Sequence, residues 1–233
     1  MKSLVLASVL VAGGVVGGGV AQASEWTVDG SHSSAGFTVR HMMVTDVRGV
    51  FNKVEGVVNL DDKDATKSTV NVEMEVASVN TRDAKRDEHL KSPEFFDAAK
   101  NPKITFKSTG IKKAGKDKFK VTGDLTMRGV TKSETLDVSL TKPMKNPWGM
   151  MVRGASVSGK VNRKDYNVSW NKTLDGGGLL VGDDVKIQVD LELVEKAAAA
   201  AAPTAAPGAK PDVPPAAKPA AVPAKPAAAP AKK

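Results

Sequence analysis

Strict alternation of apolar and polar residues near the end of the chain constrains the fold more than any other feature. From Val185 to Leu193, every odd position is Val, Ile or Leu and every even position is polar. Successive side chains of a β-strand point to opposite faces, so this segment predicts a strand with one buried face and one face in water. Similar alternation recurs through most of the central chain and predicts an all-β domain.

The predicted strands follow one another at short spacing, which is typical of an antiparallel barrel or sandwich. An outer-membrane barrel would turn its apolar face to lipid and carry aromatic girdles. The chain has only ten aromatic residues, and its polar faces carry opposed charges such as Lys186 and Asp190, which favours a soluble domain. Alternation leaves open whether such a barrel is filled by side chains or hollow enough for one small ligand. The predicted strands are 26–29, 35–41, 50–60, 69–79, 103–108, 119–125, 136–140, 152–161 and 185–193.

One segment, about 81–99, lacks the alternation and is rich in helix formers. Asn80 or Thr81 is expected to cap a first helix over 82–91, and Ser92 is expected to cap a second one. A short helical insertion after one strand of an all-β domain suggests a lid over one end of a barrel.

The first 23 residues have the pattern of a secretory signal peptide. Lys2 precedes an apolar stretch rich in Gly and Ala, and Ala21-Gln22-Ala23 offers a small-residue cleavage site before Ser24. Cleavage after Ala23 predicts a periplasmic or secreted protein. The chain contains no cysteine, so we expect stability to come from burial and strand pairing rather than from disulfides.

The last segment, 196–233, consists almost wholly of Ala, Pro and Lys and predicts a disordered tail. It carries six lysines and one acid, so its net charge is +5. Removing this +5 and the single charge of Lys2 from the formal +8 leaves only +2 for the domain 24–195. Nucleic acid is therefore not an expected partner. The tail either contacts envelope polymers or lipid headgroups, or has no partner.

Seven ordered sequence blocks resemble the YceI-like, polyisoprenoid-binding proteins, and together they span nearly all of 24–195. One position departs from the family pattern: Asn167 stands where the family usually has glycine, and asparagine tolerates the same left-handed backbone. The blocks are Trp26-x-Val28-Asp29-x-x-His32-Ser33, Phe37-x-Val39-x-His41, Gly49-x-Phe51, Thr81-x-x-x-x-Arg86-Asp87-x-His89-Leu90-x-Ser92-x-x-Phe95-Phe96, Pro102-x-Ile104-x-Phe106-x-Ser108, Gly123-Asp124-Leu125-Thr126-x-x-Gly129-Val130-Thr131-Lys132 and Val181-Gly182-Asp183-x-Val185.

The resemblance implies a lipocalin-like, eight-stranded antiparallel barrel that is exported and soluble. It also implies that the barrel holds a long amphiphile, such as a polyisoprenoid or an isoprenoid quinone. Alternation then indicates which residues face the lumen and bind that ligand. These are Phe37, Val39, Val54, Val58, Val72, Met74, Val76, Phe106, Val121, Leu125, Val138, Ile187, Val189 and Leu191.

The polar residues expected at the head-group end of the lumen are His41, Arg86 and His89. The alternative is that Arg86, Asp87 and His89 anchor the helix to the barrel through hydrogen bonds and ion pairs. No metal site is expected, because the chain has three histidines, no cysteine and no zinc-binding spacing. No catalytic residue is expected either, because there is no nucleophile elbow and the adjacent His32 and Ser33 point to opposite faces.

These observations favour an exported carrier that holds an isoprenoid-type lipid or quinone as its ligand and needs no cofactor. Two alternatives stay open: an enzyme that modifies such a lipid through His41 or the Arg86–His89 helix, and a filled-barrel structural or stress-related envelope protein. An oligomer is possible in either case.

Overall fold

Eleven β-strands and one α-helix make up residues 23–196, the part of the chain that the computed structural model describes. The predicted signal peptide, apart from Ala23, and the predicted tail beyond Lys196 lie outside these residues. Three single turns of 3-10 helix lie at Ala65–Lys67, Val76–Ser78 and Arg163–Tyr166. In chain order the elements are β1 (Ala23–His41), β2 (Thr45–Phe51), β3 (Val54–Asp61), β4 (Thr69–Glu75), β5 (Val79–Asn80), α1 (Ala84–Lys91), β6 (Lys103–Gly115), β7 (Lys118–Met127), β8 (Val130–Leu140), β9 (Met144–Lys145), β10 (Met151–Asn162) and β11 (Val181–Glu195).

The strands close into an eight-stranded antiparallel barrel, as predicted. β2 and β3 follow one another along β1 and act as one bent strand, and β4 and β5 do the same along β3 and β2. β6, β7, β8, β10 and β11 continue the sheet, while β9 pairs only with the start of β10. The last strand then pairs with the first, for example Phe37 with Ile187, which closes the ring. None of the helices among residues 23–196 has the length and apolarity needed to span a membrane.

The two ends of the barrel are built from different loops. At the upper end lie the β1–β2 turn, the segment 81–102 with α1, the β7–β8 turn and the long segment 167–180. At the lower end lie the loop 62–68, the β6–β7 turn, the segment 141–150 and both ends of the described chain. The upper end therefore carries the helical lid that the sequence predicted.

Alternation along the strands sorts apolar side chains to the inside and charged ones to the outside. On β11, Leu191 and Leu193 are buried whereas Lys186 and Asp190 are exposed. The outer face is joined by polar contacts across neighbouring strands, such as Lys160 Nζ to Asp184 Oδ2 at 2.9 Å and Ser156 Oγ to Asp190 Oδ1 at 2.7 Å. The predicted assignment of faces on this strand is confirmed.

The helical insertion is shorter than predicted at its start. Arg82 has a left-handed backbone (φ 64°), which a helix cannot include, so α1 begins only at Ala84. Asp83, and not Asn80 or Thr81, is the cap: its carboxylate accepts a hydrogen bond from the Arg86 N–H at 3.0 Å.

The predicted second helix after Ser92 is wrong. Residues 92–100 form a series of turns that fold back onto the end of α1, and Asp97 has a left-handed backbone (φ 51°). The Phe96 N–H donates to the Leu90 carbonyl at 3.0 Å, and the Ala98 N–H donates to the Lys91 carbonyl at 2.9 Å. The backbone donors are satisfied by α1, and the turn carries Phe96 towards the barrel.

Asn167 ends the Arg163–Tyr166 turn with a left-handed backbone (φ 60°, ψ 14°), so the tolerance expected of asparagine at this position is confirmed. Asn167→Gly should leave the free energy of unfolding within about 1 kcal/mol of the parent. Asn167→Val should lower it by about 1–2 kcal/mol, because a left-handed backbone crowds a branched Cβ. Urea unfolding measures both variants, and equal stabilities for the two would contradict this explanation.

Candidate ligand-binding site

Two adjoining chambers occupy the inside of the barrel. The cavity volume of the upper chamber is about 460 Å³, and that of the lower chamber is about 130 Å³. Met74, Leu125, Ile187 and Val189 line both chambers, so the two adjoin inside one barrel. Every side chain that lines the lower chamber is apolar except that of Ser68. The barrel is therefore hollow, and its lower half is lined almost entirely by hydrocarbon.

Thirteen of the fourteen predicted lumen residues line this space. Their role in binding a ligand stays a prediction. Phe37 and Val39 line only the upper chamber. Met74, Leu125, Ile187 and Val189 line both chambers. The lower chamber alone is lined by Val54, Val58, Val72, Phe106, Val121, Val138 and Leu191.

Val76 is the exception, and its assignment to the lumen is wrong. β4 ends at Glu75, and Val76 begins a turn of 3-10 helix, so period-two alternation stops one residue too early to reach it. Its side chain is only 1% exposed, and its N–H donates to the Pro102 carbonyl at 2.9 Å. Val76 belongs to the packed core beside the lumen.

Small branched side chains keep the lumen open. Ile187 and Val189 point inward yet are only half-buried, because their outer atoms face empty space and not a packed neighbour. Rings cluster instead towards the upper end, where Phe51 lies 5.7 Å from Phe37 and 5.8 Å from Phe96 between ring centroids. The apolar wall thus has aromatic packing at the lid and open space below it.

A second group of rings, formed by His89, Phe95 and Trp170, lies at the mouth of the upper chamber. The His89 ring meets Phe95 and Trp170 edge to face, each with centroids 4.8 Å apart, and Phe95 lies 5.2 Å from Trp170. His89 Nε2 also bonds the Glu94 carboxylate at 2.5 Å. His41, at the end of β1, lines the same chamber. His41 and His89 therefore lie at the same end of the lumen, and so does Arg86, the third predicted head-group residue.

Arg86 lines the upper chamber as well, but its contacts also anchor the lid. Its Nε donates to Thr81 Oγ1 at 2.8 Å, and its Nη2 donates to the Thr81 carbonyl at 2.9 Å. The Asp87 carboxylate accepts from the Thr81 N–H at 2.8 Å and from its hydroxyl at 2.6 Å. Thr81 is buried, so these bonds fix the start of α1 to the end of β5. Nη1 of Arg86 makes only a 4.0 Å ion pair with Asp83.

Arg163 organises the segment that carries Trp170, and both residues were missed as site residues from the sequence. The Arg163 side chain is buried and donates five hydrogen bonds. Burial lowers the pKa of its guanidinium, and the neighbouring Asp183 opposes that shift. The acceptors are the carbonyls of Val168 (2.6 Å), Trp170 (2.9 Å), Val181 (3.2 Å) and Gly182 (2.9 Å) and Oδ1 of Asp183 (3.1 Å).

The sequence did contain a signal for Arg163. Along β10 the inward positions are odd, and Val157 and Val161 occupy two of them. Arg163 has the same parity one residue beyond the end of β10, so a charged residue stands where continued alternation would predict an apolar one. A buried arginine must find several acceptors, and the next loop supplies them. Trp170 has no comparable signal, because it lies in a polar loop without periodicity.

His32 lies apart from the lumen, on the outside of the barrel. Its Nδ1 is 2.9 Å from Oδ2 of Asp29, and Glu192 on β11 completes a group whose potential ligand atoms lie within 4.8 Å of one another. These residues sit where a bulge interrupts β1 between Asp29 and Ser34. The three histidines of the chain thus occupy two separate places.

The Asp29–His32 pair gives a pH prediction. Hydrogen bonds from Ser31 and His32 lower the pKa of Asp29 to about 2, and the bond to Asp29 raises the pKa of His32 above 6.5. The stabilisation from Asp29 is present above its unfolded pKa near 3.8 and is lost as the pH falls towards 2. That from His32 is present below 6.5 and is lost as the pH rises through its folded pKa.

We expect Asp29→Asn to return the titration midpoint of His32, followed by NMR, to about 6.5. Glu192→Gln is the matched control and should lower the midpoint less, since Glu192 acts on His32 only through space. A midpoint for His32 that Asp29→Asn leaves unchanged would contradict the assignment.

Comparisons with known proteins agree with this architecture. The family model of the YceI-like domain matches residues 26–193. A Staphylococcus aureus protein, UPF0312 protein SAS2572, is 37% identical over 170 residues, covering 72% of this chain and 96% of that one. The crystal structure of Burkholderia cenocepacia BcnA aligns with a TM-score of 0.63 at 25% identity, covering 71% of this chain and 98% of that one.

Two further crystal structures share the fold. The Campylobacter jejuni YCEI protein aligns with a TM-score of 0.57 at 32% identity, covering 67% of this chain and 90% of that one. A polyisoprenoid binding domain from Saccharophagus degradans aligns with a TM-score of 0.57 at 12% identity, covering 73% and 98%. At that identity the second likeness concerns the fold alone. With the match of the family model across nearly the whole barrel, the chain belongs to the YceI-like family.

Proposed function

We propose that the protein is an exported carrier that holds one long-chain amphiphile of the isoprenoid class inside its barrel. The observation that carries the proposal is the pair of adjoining chambers in the barrel: the lower one is apolar except for Ser68, and the charged side chains of the lining lie at the upper mouth. The fold is shared with a Saccharophagus degradans domain described as polyisoprenoid binding, so this fold accommodates such a ligand in that protein. Export rests on the signal peptide that the sequence predicts.

The energetics of such binding require few polar contacts. Removing apolar surface from water is worth about 0.8 kcal/mol per CH₂ group. About ten sheathed carbon atoms therefore offset much of the roughly 4–15 kcal/mol that association costs in lost freedom. An isoprenoid chain is also branched and flexible, and a lumen that contains Met74 beside short branched side chains can adapt to it.

The head group of the ligand is proposed to lie at the upper mouth. His41, His89 and Nη1 of Arg86 offer hydrogen-bonding groups there, and Trp170 and Phe95 offer ring faces and edges for a quinone or a similar planar group. The tail would then extend past Met74 and Val189 into the lower chamber. This direction follows from the distribution of polar side chains along the lumen.

A carrier is preferred to an enzyme for this site. Two of its polar side chains also hold the lid together: Arg86 bonds Thr81, and His89 bonds Glu94. The enzyme alternative would use His41 or the helix that carries Arg86 and His89 as an acid or base. Quinone recovered after incubation with the protein should be chemically unchanged. If the parent protein converted the quinone into a product and the His89→Ala variant did not, the enzyme alternative would be favoured.

The proposal is tested by titrating the protein with a benzoquinone that carries an isoprenoid tail. Trp170→Ala should weaken binding about five- to tenfold, because a large ring is lost from the head-group end. Trp148→Ala is the matched control: its ring is exposed at the other end of the barrel, and binding should be unchanged. Absence of uptake by the parent protein, or equal loss in both variants, would contradict the proposal.

A further inference from the structure

Three large apolar side chains project into solvent at the lower end of the barrel. Met144 is 64% exposed, Trp148 is 78% exposed and Met150 is 46% exposed, all on the hairpin that joins β8 to β10. Single exposed apolar residues are common on proteins, but a tryptophan grouped with two methionines on one projecting hairpin is typical of an interaction surface.

The hairpin holds these side chains in a defined turn. The Asn146 side-chain oxygen accepts hydrogen bonds from the N–H groups of Trp148 (3.1 Å) and Met150 (2.9 Å). The backbone of Asn146 also donates to the Met150 carbonyl and accepts from the Gly149 N–H. Gly149 takes the left-handed backbone that the turn requires (φ 86°). Trp148 is thus presented by an ordered turn, and little entropy is lost when a partner buries it.

Lysines surround this apolar group. Six exposed lysines lie on the hairpin and on the neighbouring β6–β7 hairpin, which is joined to β8 by the hydrogen bond from the Leu140 N–H to the Asp117 carbonyl at 2.9 Å. Asp117 is the only acid in the two segments 112–118 and 142–151. Within residues 23–196 none of the six lysines forms an ion pair, unlike Lys120 and Lys160 on the barrel wall. They are Lys112, Lys113, Lys116, Lys118, Lys142 and Lys145.

The charge pattern distinguishes this end from the other. The segment 81–102 at the upper end carries five basic and five acidic residues, although Met43 and Val44 are exposed nearby. The loop 62–68, with two acids and two lysines, also belongs to the lower end, but in the strand order it lies across the barrel from the β8–β10 hairpin. Unpaired lysines and a group of exposed large apolar side chains therefore coincide on the side of the barrel formed by the two hairpins.

We propose that this side of the lower end docks on an anionic lipid bilayer. Trp148, with its apolar ring and polar N–H, suits the headgroup level of a membrane, and Met144 and Met150 would enter the same layer. The lysines would bind lipid phosphates, an attraction that acts near the surface and falls with salt. The lower chamber ends beside these hairpins at Phe119 and Leu140, so the docked barrel would present that end of its lumen to the membrane.

The test uses residues 24–233, the chain expected after cleavage of the signal peptide, and vesicles of phosphatidylcholine, with or without an equal part of phosphatidylglycerol. The parent should bind the anionic vesicles, release them at high salt and show a blue shift of emission that is absent in Trp148→Phe. Replacing Met144, Trp148 and Met150 together by serine should weaken binding about tenfold or more, since three apolar side chains lose their burial. Met42→Ser with Met43→Ser is the control at the upper end and should bind as the parent does.

Both variants keep residues 197–233 and their five lysines, so the comparison isolates the hairpin from the tail. Three results would overturn the proposal: no binding to anionic vesicles, binding that the hairpin substitutions leave unchanged, or equal binding to neutral vesicles at all salt concentrations. The vesicle-binding experiment uses no quinone, so its outcome is independent of whether the lumen holds a ligand. Folding of each variant is checked by its far-ultraviolet circular dichroism.

Discussion

Arg163→Met should lower the free energy of unfolding by about 3–5 kcal/mol, because the substitution removes a buried cation that satisfies four carbonyls and one carboxylate. Methionine fills much of the same volume, so the loss reports unpaired acceptors and not a cavity. The segment that presents Trp170 should also lose its fixed position. Quinone binding should therefore weaken even under conditions where the barrel stays folded.

Lys164→Met is the matched control for this variant. Lys164 is the next residue, carries the same charge and also contacts Asp183 (Nζ to Oδ2, 2.8 Å), but its side chain is exposed. An exposed ion pair contributes about 0–1 kcal/mol, so this variant should remain close to the parent in chemical denaturation. Similar losses for the two variants would mean that the charge near Asp183, and not the buried network, stabilises the segment.

Val189→Trp should abolish ligand binding while the barrel stays folded. Val189 lines both chambers and faces empty space, so an indole can enter the lumen without displacing packed neighbours. We expect the free energy of unfolding to change by less than about 1.5 kcal/mol, and bound amphiphile to fall to less than about a tenth of the parent. Thermal unfolding and lipid extraction measure the two effects on one preparation.

Val76→Trp provides the contrast within the same barrel. Val76 is packed on all sides and lines neither chamber, so the indole has no space to occupy. Overpacking should cost about 1–3 kcal/mol or more. If Val189→Trp destabilised the protein as much as Val76→Trp does, the lumen would be filled in solution, and the structural or stress-related alternative would gain support.

Much of the barrel could be predicted because its physical basis is local. In a closed sheet the inside and outside alternate along each strand, so the period of two from Val185 to Leu193 identifies the face that lines the lumen. The prediction failed at Val76, where a turn of 3-10 helix interrupts the strand. Alternation says which face a residue takes only as long as the strand continues.

The lid and the mouth were less predictable because their structure depends on contacts distant in sequence. The turns after Ser92 follow from hydrogen bonds to the end of α1, where helix propensity alone predicted a second helix. Trp170 reaches His89 across more than eighty positions, through a loop that Arg163 holds in place. Arg86 was predicted at the head-group end, and its bonds to Thr81 account equally well for the anchoring alternative.

The central claim is that the lumen holds one long-chain amphiphile, and native mass spectrometry tests it most directly. The parent and Val189→Trp would be purified from the exported compartment of their source, and any bound lipid released, extracted and identified. The account predicts one isoprenoid-type molecule per parent barrel and none in Val189→Trp. An empty parent barrel that also fails to take up quinones or polyprenols would contradict it, as would a ligand that Val189→Trp retains.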